Sequence, residues 1–99
     1  MDEVVIAGAA RTPMGGFQGA LAGACAADLG GAAIAAALAD AGVVAEAVDE
    51  LLMGCVLPAG QGQAPARQAG FKAGLPKEVP ATTLNKMCGS GMKAAMFGW

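Results

Sequence analysis

Apolar residues fall into three short runs along the chain, and segments with helical spacing lie between and after them. The runs are Glu3–Ala9, Val48–Val56 and Ala81–Asn85. Runs of this length that are apolar or rich in β-branched residues are typical of buried strands. The sequence therefore predicts three strands, each followed by a helix.

The first predicted helix covers about Ala26 to Ala41. Its larger apolar residues share one stripe at helical spacing, as expected for a helix packed on a core: Leu29, Ile34 and Leu38. Gly42 suits a left-handed end to this helix. Cys25 stands where a serine or threonine cap is usual, so a weakly capped start is expected.

The second predicted helix runs from Gln63 to Gly74, with Pro65 in its first turn, where the missing N–H costs nothing. The third begins at Cys88. The resulting order, β-α-β-α-β-α, predicts an α/β fold with parallel strands and right-handed crossovers.

The composition suits the interior of a larger protein. Of the 99 residues, 56% are hydrophobic and only 14% are charged, whereas the surface of a free-standing domain carries roughly 25–35% charged residues. The final residues, Met96 to Trp99, continue a helical pattern without a cap. We therefore expect the chain to be part of a longer α/β polypeptide.

The formal net charge of -2 gives no electrostatic case for binding nucleic acid or an anionic membrane. The acidic start, Met1-Asp2-Glu3, lacks the basic region of a secretory signal. The alanine-rich run from Leu29 to Ala39 is too short to span a bilayer. A cytoplasmic location is expected.

Three cysteines are present, Cys25, Cys55 and Cys88, with no CxxC pair and no histidine. This set predicts no metal site. An odd number of cysteines without a secretion signal favours reduced thiols over a disulfide framework.

Cys88 has the strongest chemical context of the three, because it follows a predicted strand and stands in the first turn of a helix. The positive end of the helix dipole favours a thiolate there. Gly89 and Gly91 would let a substrate approach the backbone. Free N–H groups at the same end could bind the oxyanion formed when a thioester is attacked.

Two other interpretations of this segment exist. Cys88 could be a packing residue, as many free cysteines are. Gly89-x-Gly91-x-x-Ala94 also matches a dinucleotide fingerprint in outline. That fingerprint usually follows the first strand and needs an acidic residue about 20 positions later, which would lie beyond Trp99.

Three stretches together resemble the thiolase family, and within it the acetyl-CoA acetyltransferases. Asn85–Ala94 (Asn-Lys-Met-Cys-Gly-Ser-Gly-Met-Lys-Ala) is similar to the family's acyl-enzyme site. Ala10–Phe17 contains its Arg-Thr-Pro motif, and Gly60–Ala69 is similar to its second-helix motif. The likeness runs in order from Glu3 to about Met96.

The resemblance implies that Cys88 accepts the acetyl group and that its own N–H helps to form an oxyanion hole. Gly89, Ser90 and Gly91 correspond to the substrate-binding turn around it. Gly-Ser after the cysteine is more similar to the short-chain biosynthetic enzymes than to the long-chain ones.

Neither Cys25 nor Cys55 matches a catalytic position. Both are expected to pack, Cys25 being the more exposed.

Arg11 and Arg67 match family arginines. A structural role in a loop or interface is expected for both, because the guanidinium fork serves such places well.

The implied reaction joins two acetyl-CoA molecules into acetoacetyl-CoA and CoA, or reverses this by thiolysis, through acetyl-Cys88. No cofactor is expected beyond the coenzyme A thioesters that are the substrates. The family also needs a histidine and a second cysteine from its C-terminal half. This chain has no histidine, so residues 1–99 alone are expected to be inactive.

The implied fold is a thiolase-like layered α/β fold, of which residues 1–99 form a partial N-terminal domain. The intact protein would be a homodimer or homotetramer, with the third strand at the dimer contact.

Three alternatives remain: a 3-ketoacyl-CoA thiolase of broader chain length, a related ketosynthase, and a non-catalytic truncated module that binds acyl-CoA. The Cys-Gly-Ser-Gly turn and the Arg-Thr-Pro start disfavour the ketosynthase.

Overall fold

The computed structural model describes residues 2–99 and contains three helices around a small parallel sheet. The elements in chain order are α1 (Ala26–Ala41), a 3₁₀ turn (Ala45–Ala47), β1 (Leu51–Gly54), α2 (Pro65–Lys72), β2 (Ala81–Leu84) and α3 (Ser90–Gly98). This mixture of helix and parallel strand confirms the predicted α/β class. Among residues 2–99, no helix is long and apolar enough to cross a membrane.

The two strands pair in parallel with matched ends. Leu51 lies opposite Ala81, and Gly54 lies opposite Leu84. The ladder continues past Gly54, where the Cys55 N–H donates to the Leu84 carbonyl (2.9 Å). Both carboxyl ends therefore meet at one edge of the sheet, with α2 as the connection between the strands.

The predicted strand at Glu3–Ala9 is wrong for the part of the chain that the structure describes. Residues 2–10 belong to no strand, and Val5 and Ile6 are 70% and 91% exposed. A strand needs a neighbouring backbone to pair with. This segment instead rests on α1, where the Ala9 N–H donates to Asp40 Oδ2 (3.0 Å).

Helix α1 has the predicted bounds. Gly42 follows it in the left-handed conformation (φ 67), and the Val43 N–H donates to the Leu38 carbonyl (3.0 Å), which closes the C-terminus. Ile34 and Leu38 of its apolar stripe pack on the core formed by three buried residues: Leu51, Leu75 and Val79.

Helices α1 and α2 lie close together because α1 has a glycine, with no side chain, where they meet. A Cβ on Gly31 would stand only 2.7 Å from the Lys72 Cβ. At the start of α1, Asp28 joins the two helices, since its Oδ1 lies 2.7 Å from Lys72 Nζ. Its Oδ2 also accepts the Cys25 N–H (3.0 Å), so Asp28 supplies part of the capping that Cys25 was expected to lack.

The N-terminus of α2 is capped by a side chain from strand β2. Ala64, the residue before the helix, is left-handed (φ 50) and offers no side-chain cap. The Ala66 N–H donates instead to Thr83 Oγ1 of β2 (2.9 Å). Pro65 stands in the first turn as predicted. A strand hydroxyl therefore ties α2 to the sheet.

We predict that Thr83→Val destabilises the chain by about 1 kcal/mol, the usual effect of losing a cap. Thr82→Val is the matched control, because Thr82 is exposed and its hydroxyl makes no hydrogen bond within residues 2–99. Both changes replace a hydroxyl by a methyl group, at neighbouring positions of one strand. Urea unfolding of the two variants measures the difference, and equal midpoints would contradict the capping role.

The ion pair gives a pH-dependent prediction. The Lys72 ammonium, followed by Cys25, holds the pKa of Asp28 well below its ordinary value of 3.8. A carboxylate whose pKa is lowered on folding stabilises the fold above that ordinary value and loses this effect as the pH falls further. Asp28→Asn should therefore lower the melting temperature slightly at neutral pH, because both side chains are about half exposed.

This deficit should shrink as the pH drops below 3.8. Melting temperatures of the wild type and Asp28→Asn across an acid pH series test it. A deficit that stays constant down to about pH 2 would contradict the linkage.

Candidate active site around Cys88

Cys88 lies in a tight turn between β2 and α3. The third helix was predicted to begin at Cys88, but it begins at Ser90, with Gly89 as the residue before its first turn. Cys88 and Gly89 belong instead to a tight turn, in which Met87 adopts a left-handed conformation (φ 49). The turn is closed by the Gly89 N–H on the Lys86 carbonyl (3.0 Å) and the Ser90 N–H on the Met87 carbonyl (3.1 Å).

Two side chains hold the turn by hydrogen bonds to its backbone, one of them buried and one exposed. The Ser90 hydroxyl accepts the Lys86 N–H (2.9 Å) and donates to the Met87 carbonyl (2.6 Å). Asn85 Oδ1 accepts the Met87 N–H (2.9 Å). Ser90 is only 6% exposed, so its hydroxyl faces the fold. The turn is therefore fixed on both sides of Met87.

A glycine in β1 sets how close α3 comes to the sheet. A Cβ on Gly54 would stand 2.5 Å from the Ser90 carbonyl carbon and 2.7 Å from the Gly91 nitrogen, distances that real side chains do not adopt. The first turn of α3 therefore rests directly on the backbone of β1. Cys88 lies two residues before Ser90, where that turn begins. Gly54 therefore also helps to set the distance between Cys88 and the edge of the sheet.

Cys88 itself is exposed and its thiol is free. The Gly89 and Ser90 N–H groups, which could have served as oxyanion donors, are occupied by carbonyls of the turn. Among the hydrogen bonds within residues 2–99, none uses the Cys88 N–H. The turn thus presents a thiol and an unused N–H from the same residue.

The backbone conformation does not require glycine at Gly89 or Gly91, the two glycines that follow Cys88. Gly89 has φ −91, and Gly91 is not among the residues with positive φ. A Cβ on Gly91 would meet no atom within 4 Å. A Cβ on Gly89 would lie 3.4 Å from the Lys86 carbonyl oxygen, so open space is found at Gly91 alone of the two, and contact with a substrate there stays a prediction.

Arg67 stabilises the loop that leaves α2. Its Nη1 donates to the carbonyls of Lys77 (3.1 Å) and Val79 (2.6 Å), and the guanidinium lies 5.5 Å from the Phe71 ring centre. The structural role predicted for Arg67 is confirmed. Arg11 is exposed and donates to the Thr12 carbonyl (3.0 Å).

The other two cysteines do not join Cys88 in this turn. Cys55 is partly buried, and its Sγ lies 3.5 Å from Gln61 Nε2. Cys25 is exposed, so the packing role expected of it is not seen in residues 2–99, because the start of α1 lies at the surface. The expectation that Cys25 is the more exposed of these two is confirmed.

Three residues that shape the turn had no predicted role of their own: Gly54, Asn85 and Met87. Asn85 and Met87 entered only as part of the stretch that resembles the acyl-enzyme site. Asn85 could have been recognised, because asparagine often accepts the N–H two residues later in a turn. Nothing local marks Gly54, whose close contact depends on α3, or Met87, because methionine has no preference for positive φ.

Known proteins are similar in sequence to this chain over almost its whole length. Residues 4–99 match the family described as thiolase, N-terminal domain. The acetyl-CoA acetyltransferase of Pseudomonas aeruginosa is 57% identical over 98 residues, which are 99% of this chain and 25% of that protein. The acetyl-CoA acetyltransferase of Cupriavidus necator is 59% identical over 97 residues, which are 98% of this chain and 25% of that protein.

A solved structure agrees with the sequence relatives. The acetyl-CoA acetyltransferase from Syntrophomonas wolfei superposes with a TM-score of 0.88 at 40% identity, and the match covers 95% of this chain and 24% of that one. The chain therefore spans about a quarter of the length of the relatives it matches.

We predict that Gly54→Ala displaces the start of α3 and destabilises the chain by about 1–3 kcal/mol, the usual effect of overpacking. Gly23→Ala is the matched control, because a Cβ there would meet nothing within 4 Å. Urea unfolding measures both variants. An equal loss of stability in the two would show that the close contact at Gly54 is unimportant.

Proposed function

The chain belongs to the thiolase family, whose N-terminal domain residues 4–99 match, and on this premise we propose that it supplies the acyl-accepting cysteine of an acetyl-CoA C-acetyltransferase. One observation carries the proposal: Cys88 presents an exposed thiol and an unused N–H from a turn that is fixed on both sides. The relatives that match over almost the whole chain are named acetyl-CoA acetyltransferases.

The proposed reaction has two steps. In the first, the Cys88 thiolate attacks the carbonyl carbon of acetyl-CoA, a new C–S bond forms, and CoA leaves as a thiolate. In the second, another acetyl-CoA loses an α-proton, and its enolate carbon attacks the acetyl-Cys88 carbonyl. Acetoacetyl-CoA forms and the Cys88 thiolate is released. Thiolysis is the reverse.

Each feature of the turn has a part in this chemistry. The Cys88 N–H would donate to the thioester oxygen as that oxygen becomes negative. The positive end of α3, which begins two residues later, would favour the same charge. The space beside Gly91 would admit the thioester close to the backbone, in the role proposed for Gly89, Ser90 and Gly91. Ser90 would contribute through its backbone, because its side chain is buried.

The remaining groups would come from outside residues 1–99. The sequence contains no histidine, so the base that activates Cys88 and the cysteine that moves the α-proton would lie in other parts of the protein. We therefore propose that residues 1–99 alone do not turn over. The intact enzyme would be a cytoplasmic homodimer or homotetramer that needs no cofactor beyond its coenzyme A thioesters. Preference for acetyl over longer chains rests on the Gly-Ser pair after Cys88.

We predict that Cys88→Ser, in the full-length protein that carries this chain, abolishes the burst of CoA release when acetyl-CoA is added. The hydroxyl is a far weaker nucleophile than the thiolate. The melting temperature should hardly change, because serine and cysteine have nearly the same shape. Rapid-mixing assays of CoA and the mass of the acetylated protein measure the effect.

Cys55→Ala and Cys25→Ala are the matched controls and should keep the burst. A normal burst in Cys88→Ser would overturn the assignment. Full acetylation of Cys88 without any acetoacetyl-CoA would instead favour a module that binds acyl groups without condensing them.

A further inference from the structure

The backbone of Met87 is held in a conformation that methionine does not favour. Its φ is 49, a region where the Cβ of an L-residue crowds the carbonyl oxygen. Such conformations persist only where surrounding contacts impose them, and they are often found at functional sites. Met87 directly precedes Cys88, so its backbone angles set where Cys88 points.

Both peptide groups of Met87 are bound by side chains. On one side, Asn85 Oδ1 accepts the Met87 N–H (2.9 Å). On the other, the Ser90 hydroxyl donates to the Met87 carbonyl (2.6 Å) while it accepts the Lys86 N–H (2.9 Å). The Ser90 N–H adds a second bond to the same carbonyl (3.1 Å).

These bonds determine the direction of the Cys88 N–H. The carbonyl of Met87 and the N–H of Cys88 belong to one peptide plane, and in a trans peptide they point in opposite directions. No cis peptide bond occurs among residues 2–99. Because Ser90, which is 6% exposed, draws the carbonyl inward, the Cys88 N–H must point away from the interior.

We propose that Asn85 and Ser90 are positioning residues, which hold Met87 left-handed and thereby aim the thiol and N–H of Cys88 at the thioester. This inference rests on the proposed function and deepens it. Neither side chain touches the substrate; both act through the backbone of Met87. A purely structural turn would need the same bonds, so the test must separate reactivity from stability.

The first experiment uses the full-length protein with acetyl-CoA. Asn85→Ala and Ser90→Ala should slow the formation of acetyl-Cys88 by about 10- to 100-fold, the effect expected of a misplacement near 1 Å, with a smaller change in KM than in kcat. The folded fraction of each variant is first measured by circular dichroism at the assay temperature, and rates are compared per folded protein. Asp49→Ala is the control and should leave the rate unchanged, because Asp49 is exposed and lies just before β1, at the opposite end of that strand from the turn.

The second experiment asks whether the effect passes through Met87. Glycine adopts positive φ as readily as negative φ, so Met87→Gly removes the conformational cost that Asn85 offsets. Asn85→Ala should therefore slow acetylation less in a Met87→Gly background than in the wild type. Gln18→Gly is the matched control, because Gln18 has nearly the same φ (53) in another loop. It should not rescue Asn85→Ala.

A third variant covers the case in which the alanine variants do not fold. Asn85→Ser keeps an oxygen that can accept the Met87 N–H, so it should fold and acetylate at a rate near that of the wild type. If folded Asn85→Ser lost as much rate as a catalytic knockout, the proposal would be wrong.

The outcomes separate the two proposals. If the wild type forms no acetyl-Cys88, the proposed function fails, whatever the variants do. If the wild type is acetylated and folded Asn85→Ala and Ser90→Ala react at its rate, the function stands and the positioning role is overturned. Equal slowing by Asn85→Ala in the wild-type and Met87→Gly backgrounds would likewise exclude a route through Met87.

Discussion

The site depends on the register between the two strands. Because Gly54 lies opposite Leu84, both strands end at the same edge, and the turn that carries Cys88 starts there. Carboxyl ends of parallel strands are where α/β proteins place their ligands. A slip of one residue would reverse which side chains face the helices. It would also remove Gly54 from beneath α3, where a Cβ would stand 2.5 Å from the Ser90 carbonyl carbon.

The parts that could be predicted from sequence are those with local causes. Helix α1 has the bounds read from its periodicity, and Gly42 ends it as expected. The cores of both observed strands lie within the predicted runs, and Cys88 stands in the expected connection. The thiolase-like fold is confirmed by the superposition on a solved acetyltransferase (TM-score 0.88).

What could not be predicted depends on contacts between distant segments. Glu3–Ala9 has the composition of a strand, but composition does not supply a neighbouring strand, and none pairs with it among residues 2–99. The tight turn before α3, in which Asn85 and Ser90 bind the left-handed Met87, also depends on such contacts. The inward orientation of the Ser90 hydroxyl depends on the same fold. Large apolar side chains such as Ile6 (91%) and Trp99 (82%) are exposed in residues 2–99, which agrees with a composition that suits the interior of a larger protein.

The proposed chemistry gives a physical reason for a rigid turn. Acyl transfer between two thiols replaces one thioester by another, so little free energy separates reactants from products. The barrier arises mainly from the charge that develops on the carbonyl oxygen, and a donor lowers it most when it already points at that oxygen. The Cys88 N–H can meet this condition only if the Met87 peptide is fixed. This explains why a buried hydroxyl at Ser90 would matter more inside the turn than in contact with the substrate.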